Sequence, residues 1–341
     1  MTGFRAGKIP TQTLEKSVFP FLGVQDPDVL HGPGIGRDAA VIRVGRQVVV
    51  ATTDPITGAV QHIGAYALHI CANDIATFGI SPRWFLATIL LPEDAELKIL
   101  EEIMESMHKT ARSLNVAIVG GHTEVTPGLA RPIVIGFMLG SAKEGHYVTS
   151  SNAEPGNAII LTKGVAIEGT AILATERAEE LGALLGQQIL HDGQSYRHQL
   201  SVVPEALTAI STGGVTAMHD PTEGGIANGL HEIANASGVG FVVYREALVV
   251  HETTRKICRL LDINPLNLIA SGAMLIATKI DKAEETVKAL EAKGIAASII
   301  GKLVEDSSTR NIVESDGSEV PLSQPVEDAL WDALLKPISK E

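Results

Sequence analysis

The chain has 341 residues, 45% hydrophobic and 20% charged, enough for two domains, each with its own core. Forty acidic against 27 basic residues leave a net charge of −13. Such a surface repels phosphate backbones and anionic lipid, which argues against nucleic-acid and membrane binding.

Only 4% of the chain is aromatic, and 33 glycines accompany the small aliphatics, a balance suited to an α/β protein with close backbone approaches. Cys71 and Cys258 stand far apart in apolar, helix-like surroundings. Without a CxxC or a zinc spacing, both are expected as buried thiols in a reducing compartment. The segment Met1 to Pro10 lacks the apolar run of a signal peptide, and no stretch approaches about 18 uninterrupted apolar residues. The expected location is cytoplasmic.

In chain order, Pro10, Pro20 and Pro27 break any long helix at the start, and a glycine-rich loop runs from His31 to Arg37. Two β-like runs, Asp38–Val44 and Gln47–Thr53, meet at Gly45-Arg46, which predicts a hairpin. Val60–Gly79 reads as a helix ended by Gly79 with Pro82 beyond. A strand at Phe85–Leu91, an amphipathic helix at Asp94–Leu114 and a strand at Val116–Val119 follow. That strand runs into Gly120-Gly121-His122-Thr123-Glu124, and Pro132–Gly140 is the next strand. The polar segment Gly145–Gly156, with Pro155, marks the expected boundary between residues 1–150 and 151–341. The second half opens with a strand at Ala158–Thr162 and a helix after Glu168-Gly169-Thr170. Asp220-Pro221-Thr222-Glu223-Gly224-Gly225 leads into a helix at Ile226–Ala236. Ala273–Ile280, Ala283–Ala292 and Ala296–Leu303 read as a βαβ unit.

Geometry makes the hairpin informative. If Val44 pairs with Gln47, Asp38 falls opposite Thr53 and close to Asp54. Neighbouring carboxylates repel unless a proton or a metal lies between them, although strand-end caps in solvent would read the same way. In the helix Val60–Gly79, Ile63, Leu68, Ile70, Cys71, Ile75 and Phe78 surround Asn73-Asp74. A carboxylate buried there needs a partner or a metal, the alternative being an exposed polar stripe. Hard oxygen ligands from several elements suit Mg²⁺. Gly32-Pro33-Gly34-Ile35-Gly36 precedes a strand and does not open a helix, which argues against a dinucleotide fingerprint, and no GxxxxGK[ST] loop is present. Asp220–Gly225 sits before a helix, where free N–H groups favour an anion; Asp220 and Thr222 could equally be ordinary caps.

In sequence order, Gly36-Arg37-Asp38-Ala39-Ala40-Val41, Thr53-Asp54, Asn73-Asp74-Ile75-Ala76, Gly120–Glu124, Glu168–Leu173 and Asp220–Gly225 resemble the AIR synthase superfamily. The likeness spans about residues 30 to 305, and the last two segments look most like its HypE branch. The resemblance implies an AIR synthase-like α/β N-terminal ATP-binding domain whose sheet pairs with a second subunit in a dimeric β-barrel. It also implies an α+β C-terminal domain, with ATP in the cleft between domains. It further implies Mg²⁺ held by Asp38, Asp54 and Asp74, and catalytic roles for Asp38, Asp54, His122 and Asp220. Nucleotide contacts are then expected from Gly34, Gly36, Arg37, Asn73, Gly120, Gly121, Thr123, Thr222, Gly224 and Gly225. The shared chemistry is phosphorylation of an amide-like oxygen or another acceptor, and the HypE branch implies a maturation-protein partner.

Three departures stand out. Arg37 replaces an aspartate common in HypE, adding a cation beside the phosphates. His122 replaces another aspartate and, as a poor Mg²⁺ ligand, is expected in phosphate contact or acid–base work, or simply held in a loop by hydrogen bonds. The sequence ends Ser339-Lys340-Glu341 where the resemblance implies a cysteine carrying the carboxamide, so the acceptor is expected on another carrier. A small-molecule kinase or cyclase of the same fold and a nucleotide-binding assembly subunit remain alternatives.

Overall fold

The computed structural model describes residue 9 and residues 11–57, 61–325 and 327–337. The expected helix start at Val60, the rest of the opening segment and the end of the tail, Ser339 included, lie outside the described residues. The first half holds α1 (Thr11–Ser17), β1 (Val29–His31), β2 (Ala40–Val44), β3 (Gln47–Ile56), α2 (Ile63–Thr77), β4 (Pro82–Leu91), α3 (Leu97–Ser113), β5 (Ala117–Val125) and β6 (Ile133–Lys143).

The hairpin has the expected register, Val44 opposite Gln47, around a Gly45 whose φ of 65° favours glycine. Six strands pair in the order β1-β2-β3-β6-β4-β5, parallel only between β4 and β5. Their side chains alternate. Val48, Val50, Phe85, Ala87, Ile89, Val134 and Met138 are buried on one face, beneath α2. On the other face Leu86, Leu90, Ile135 and Leu139 are only half-buried and Phe137 is exposed. The sheet is open, with β1 and β5 at its edges. Gly120 to Glu124, expected beyond the end of a short strand, belong to β5 itself.

Helix α2 is apolar almost all round, and such a helix is stable only when buried on all sides. One face lies on the sheet and the other meets the second half of the chain. Gly136 makes the approach to the sheet close. A Cβ there would stand 2.7 Å from Cys71 Sγ and 3.1 Å from the Ala67 carbonyl. Cys71 and Cys258 are both free and buried.

The second half contains β7 (Ala158–Thr162), α4 (Ile167–Glu176), α5 (Ala178–Leu185), α6 (Gln187–Ser195), α7 (Val203–Ile210), β8 (Val215–His219), α8 (Gly225–Ser237) and β9 (Gly240–Tyr244). It continues with α9 (Glu252–Leu261), β10 (Leu275–Thr278), α10 (Ala283–Glu291), β11 (Ala297–Val304), β12 (Arg310–Val313), β13 (Glu319–Pro321) and α11 (Ala329–Leu335). Its sheet runs β13-β12-β9-β11-β7-β10-β8. Strands β10 and β11 both lie antiparallel to β7, so they run parallel to each other with β7 between them. The expected βαβ unit is therefore split by a third strand.

The expectation of one core per domain needs correction. One cluster lies wholly between Ala153 and Ala333. The other mixes α2 and the first sheet with Ile160, Val202, Met218, Met274, Ile276 and Leu290 of the second half. The reason is α2: a helix apolar on every side must be covered from both.

Candidate functional site

The junction brings four acids together from four places in the chain. Asp38 precedes β2, Asp54 lies on β3, Asp74 on α2, and Asp220 follows β8. Val48, Val50, Thr52 and Asp54 share the face of β3 turned to α2, so Asp54 faces Asp74. Asp74 is buried, 6% exposed. Burial, then the charges of Asp54 and Asp220 and, less strongly, Asp38, push its carboxyl well above the ordinary range. Burial and Asp38 do the same to Asp220, whose Oδ2 has no hydrogen-bond partner among the described residues.

Thr52 Oγ1 lies 2.6 Å from Asp74 Oδ2 and 3.0 Å from the Asp38 carbonyl oxygen. A hydroxyl has one proton. Both contacts are satisfied if Asp74 is protonated and donates to Thr52, which in turn donates to Asp38.

His219 was not foreseen. It is 4% exposed, with Nδ1 3.1 Å from Asp38 Oδ2 and Nε2 2.8 Å from Glu232 Oε2 of α8. Burial opposes a charge on this ring, but Asp38 and Glu232 hold its pKa well above the usual value. Asp38, His219 and Asp220 offer ligand atoms within 4.8 Å of one another. A signal existed in the sequence: His219 ends a β-like run directly before Asp220, and Glu232 interrupts the apolar helix that follows.

Other expected residues fall differently. Arg37 is exposed at the glycine loop and donates through Nη1 to the Gly32 carbonyl at 3.0 Å. Ser150 Oγ donates to the Gly36 carbonyl, tying this loop to the junction. Gly34 is half-buried beside Arg37. Asn73, expected at the nucleotide, is fully buried. It donates through Nδ2 to Leu200 O (2.8 Å), and its Oδ1 accepts from Val202 N–H (2.8 Å). Its amide clamps the two halves together.

Gly224 and Gly225, expected to present N–H groups to an anion, are buried. Gly224 N–H donates to Asp328 Oδ2 at 2.6 Å, and Gly225 N–H donates to Thr222 O. A carboxylate of the chain itself already sits at this helix start. Thr222 is half-buried at the same turn.

Gly120, Gly121, His122 and Thr123 do not join the acids within one chain. Asp54, Gly136, Ala87 and Gly121 form one row across the sheet, three strand spacings or roughly 14 Å long. His122 pairs with Thr88 and so points to the opposite face from Asp54. It is a strand residue, not a loop residue, and its Nε2 lies 2.9 Å from Glu124 Oε2.

Beside the junction, Glu168 in the first turn of α4 is buried, its Oε2 lacks a hydrogen-bond partner among the described residues, and burial pushes its pKa from 4.5 to about 7. The folded state therefore binds this proton more tightly than the unfolded chain. Stability is lost as pH rises from about 4.5 to about 7. Glu168→Gln is expected to melt higher than the unaltered protein at about pH 8, by about 1–3 kcal/mol, and to show no gain at about pH 4. Thermal melts at both pH values check this.

A cavity of about 850 Å³ opens elsewhere, lined by residues including Lys163, Glu205, Thr208, His251 and Lys293, and contains none of the four acids.

Comparisons with known proteins give the family. Residues 36–142 match the AIR synthase related protein N-terminal domain, and residues 154–314 match the corresponding C-terminal domain. The chain belongs to the AIR synthase related family. It is 32% identical over 250 residues to carbamoyl dehydratase HypE of Azotobacter vinelandii, covering 72% of this chain and 70% of that protein. The structure of a HypE–HypF complex superposes with a TM-score of 0.74 at 22% identity, over 92% of this chain and 99% of that one. The structure of hydrogenase maturation protein HypE in complex with ATP gives 0.72 at 22% identity, over 95% and 97%. Both structures share the fold. The chain is an enzyme of the AIR synthase and HypE type.

Proposed function

We propose that this HypE-like enzyme uses ATP and Mg²⁺ to activate a carboxamide or similar acceptor by phosphorylating its oxygen. The observation that carries the reading is the convergence of Asp38, Asp54, Asp74 and Asp220 in a buried junction between the two halves. Carboxylate oxygens converging from several elements suit a hard cation. Asp38, Asp54 and Asp74 would hold it, and bound Mg²⁺ supplies charge neutralisation for the transferred phosphoryl group. Gly34, Gly36, Arg37 and Thr222 would line the nucleotide. Asp220 is available to accept a proton from the acceptor. An amide oxygen is a poor leaving group until it becomes a phosphate ester. A primary carboxamide then loses phosphate and two protons to leave a nitrile.

The residues divide into an ATP-binding N-terminal domain, 1–150, and an α+β C-terminal domain, 151–341. The half-buried apolar face of the first sheet and its β5 edge fit a homodimer that closes a barrel, as an open apolar sheet face calls for a cover. In that arrangement His122 and Gly120–Thr123 would serve a site formed with the second subunit. A protein partner is supported by the complex in which a HypE relative was crystallised with HypF. Among the described residues no helix is long and apolar enough to cross a membrane, and two free buried thiols fit the reducing cytoplasm.

The test is ATP hydrolysis by the full chain with Mg²⁺ and a panel of carboxamides free and on protein thiols, followed by phosphorus NMR. Acceptor-dependent release of ADP and phosphate is the expected result. A stable phosphorylated product would instead favour a small-molecule kinase or cyclase. Nucleotide binding with no turnover on any acceptor would leave an assembly subunit.

A further inference from the structure

We propose that the cavity of about 850 Å³ lined by Lys163, Glu205, His251 and Lys293 is a second small-molecule site, for an organic acid that carries an amine or amide at its far end. Its volume falls within the range of about 300–1,000 Å³ that small ligands fill. The cavity contains none of the four acids, so the inference stands apart from the phosphorylation reading.

The inner polar groups are acceptors. Lys163 Nζ has three protons, and Gln199 O, Ser201 O and Glu205 Oε1 take all of them. Glu205 is 2% exposed, and its Oε2 has no hydrogen-bond partner among the described residues. A buried carboxylate oxygen in that state is costly until an N–H meets it. His251 Nε2 lies 2.9 Å from the Lys163 carbonyl oxygen. A carbonyl only accepts, so the proton is on Nε2, and Nδ1 of the neutral ring is left as a second acceptor. Lys163 positions both groups from the left-handed region of the backbone, at a φ of 57°. Lysine seldom adopts that conformation, and such strain gathers at ligand sites. The rim has the opposite sign. Lys293 is exposed just beyond α10 and pairs with no acid among the described residues. Leu207 and Ile295 add apolar wall. An acid group at Lys293 and an N–H at Glu205 Oε2 would thus hold the two ends of one aliphatic ligand.

The probes are straight-chain aliphatic acids of graded length, from butyrate to octanoate, each ending in an amine, an amide or a methyl group. They are added to the full chain without nucleotide, and binding is followed by saturation-transfer NMR and calorimetry. At one length or more, the amine- or amide-ended acid is expected to bind at least about tenfold more tightly than its methyl-ended counterpart. Whichever of the two wins identifies the donor. Lys293→Glu, an exposed change, should weaken that acid about tenfold. Glu205→Gln, which puts a donor where the inner acceptor stood, should remove the preference over the methyl-ended acid. No binding, equal binding of all three at every length, or an affinity unmoved by Lys293→Glu would overturn the proposal. The unaltered protein and Lys293→Glu decide the matter even if Glu205→Gln fails to fold.

Discussion

Asp74→Asn is expected to lower acceptor-dependent ATP turnover at least about a hundredfold while making the metal-free protein more stable at neutral pH. The stability gain follows from the carboxyl group's raised pKa. A folded carboxyl above its unfolded value binds protons better than the unfolded chain, so folding loses stability as pH climbs above about 4. Asparagine carries no such penalty. It can also replace the carboxyl proton by donating its amide N–H to Thr52 Oγ1, leaving the Thr52-to-Asp38 contact intact. The gain should be about 1–3 kcal/mol near pH 7.5 and vanish below about pH 4. Calorimetry across that range, with the turnover assay alongside, checks both halves. A variant that melts lower at every pH would show that Asp74 is a structural acid and not a site held ready for a cation.

The largest loss of stability is expected from Lys163→Met. Lys163 directly follows β7, and its Nζ donates to Gln199 O (2.7 Å) and Ser201 O (2.6 Å) and pairs with Glu205 Oε1 at 2.7 Å. These bonds fasten the second sheet to the segment that accepts the Asn73 clamp. The side chains of Lys163 and Glu205 are 12% and 3% exposed, and Glu205 Oε2 already lacks a hydrogen-bond partner among the described residues. Removing the ammonium strands a buried carboxylate and two carbonyls, at a cost of about 3–5 kcal/mol. Lys163→Met combined with Glu205→Leu should recover most of the loss, since an apolar pair of similar volume often replaces a buried ion pair without penalty. Equal destabilisation in the single and double variants, measured by denaturant unfolding, would contradict this account.

Much of the first half was legible because its signals are local. Gly45 between two β-branched runs gave the hairpin and its register, and the register alone placed Asp38 near Asp54. The apolar surroundings of Asp74 announced a buried carboxylate. What stayed hidden depends on contacts between distant segments. Nothing in Asn73 itself says that residues 200 and 202 will take its amide. Nothing in Gly224 says that Asp328, more than a hundred positions away, will occupy its N–H. The place of His122 was hidden for a geometric reason: β5 is the far edge strand, and strand alternation turns this residue to the face away from Asp54. His219 was overlooked because its partners, Asp38 and Glu232, come from opposite halves.

Because α2 is wrapped from two directions, neither half of the chain could be separated without tearing open a dry surface. Residues 1–150 made alone would expose the flank of α2 that α7 and β8 meet, and would leave the Asn73 amide facing water. The molecule should accordingly melt in one cooperative step, and proteolytic nicking near 145–156 should not release a stable fragment. The same wrapping limits how far the acids can drift apart. Any motion that loosens Asp38 from Asp220 must also pry a continuous interior, so the cluster inherits the rigidity of the whole.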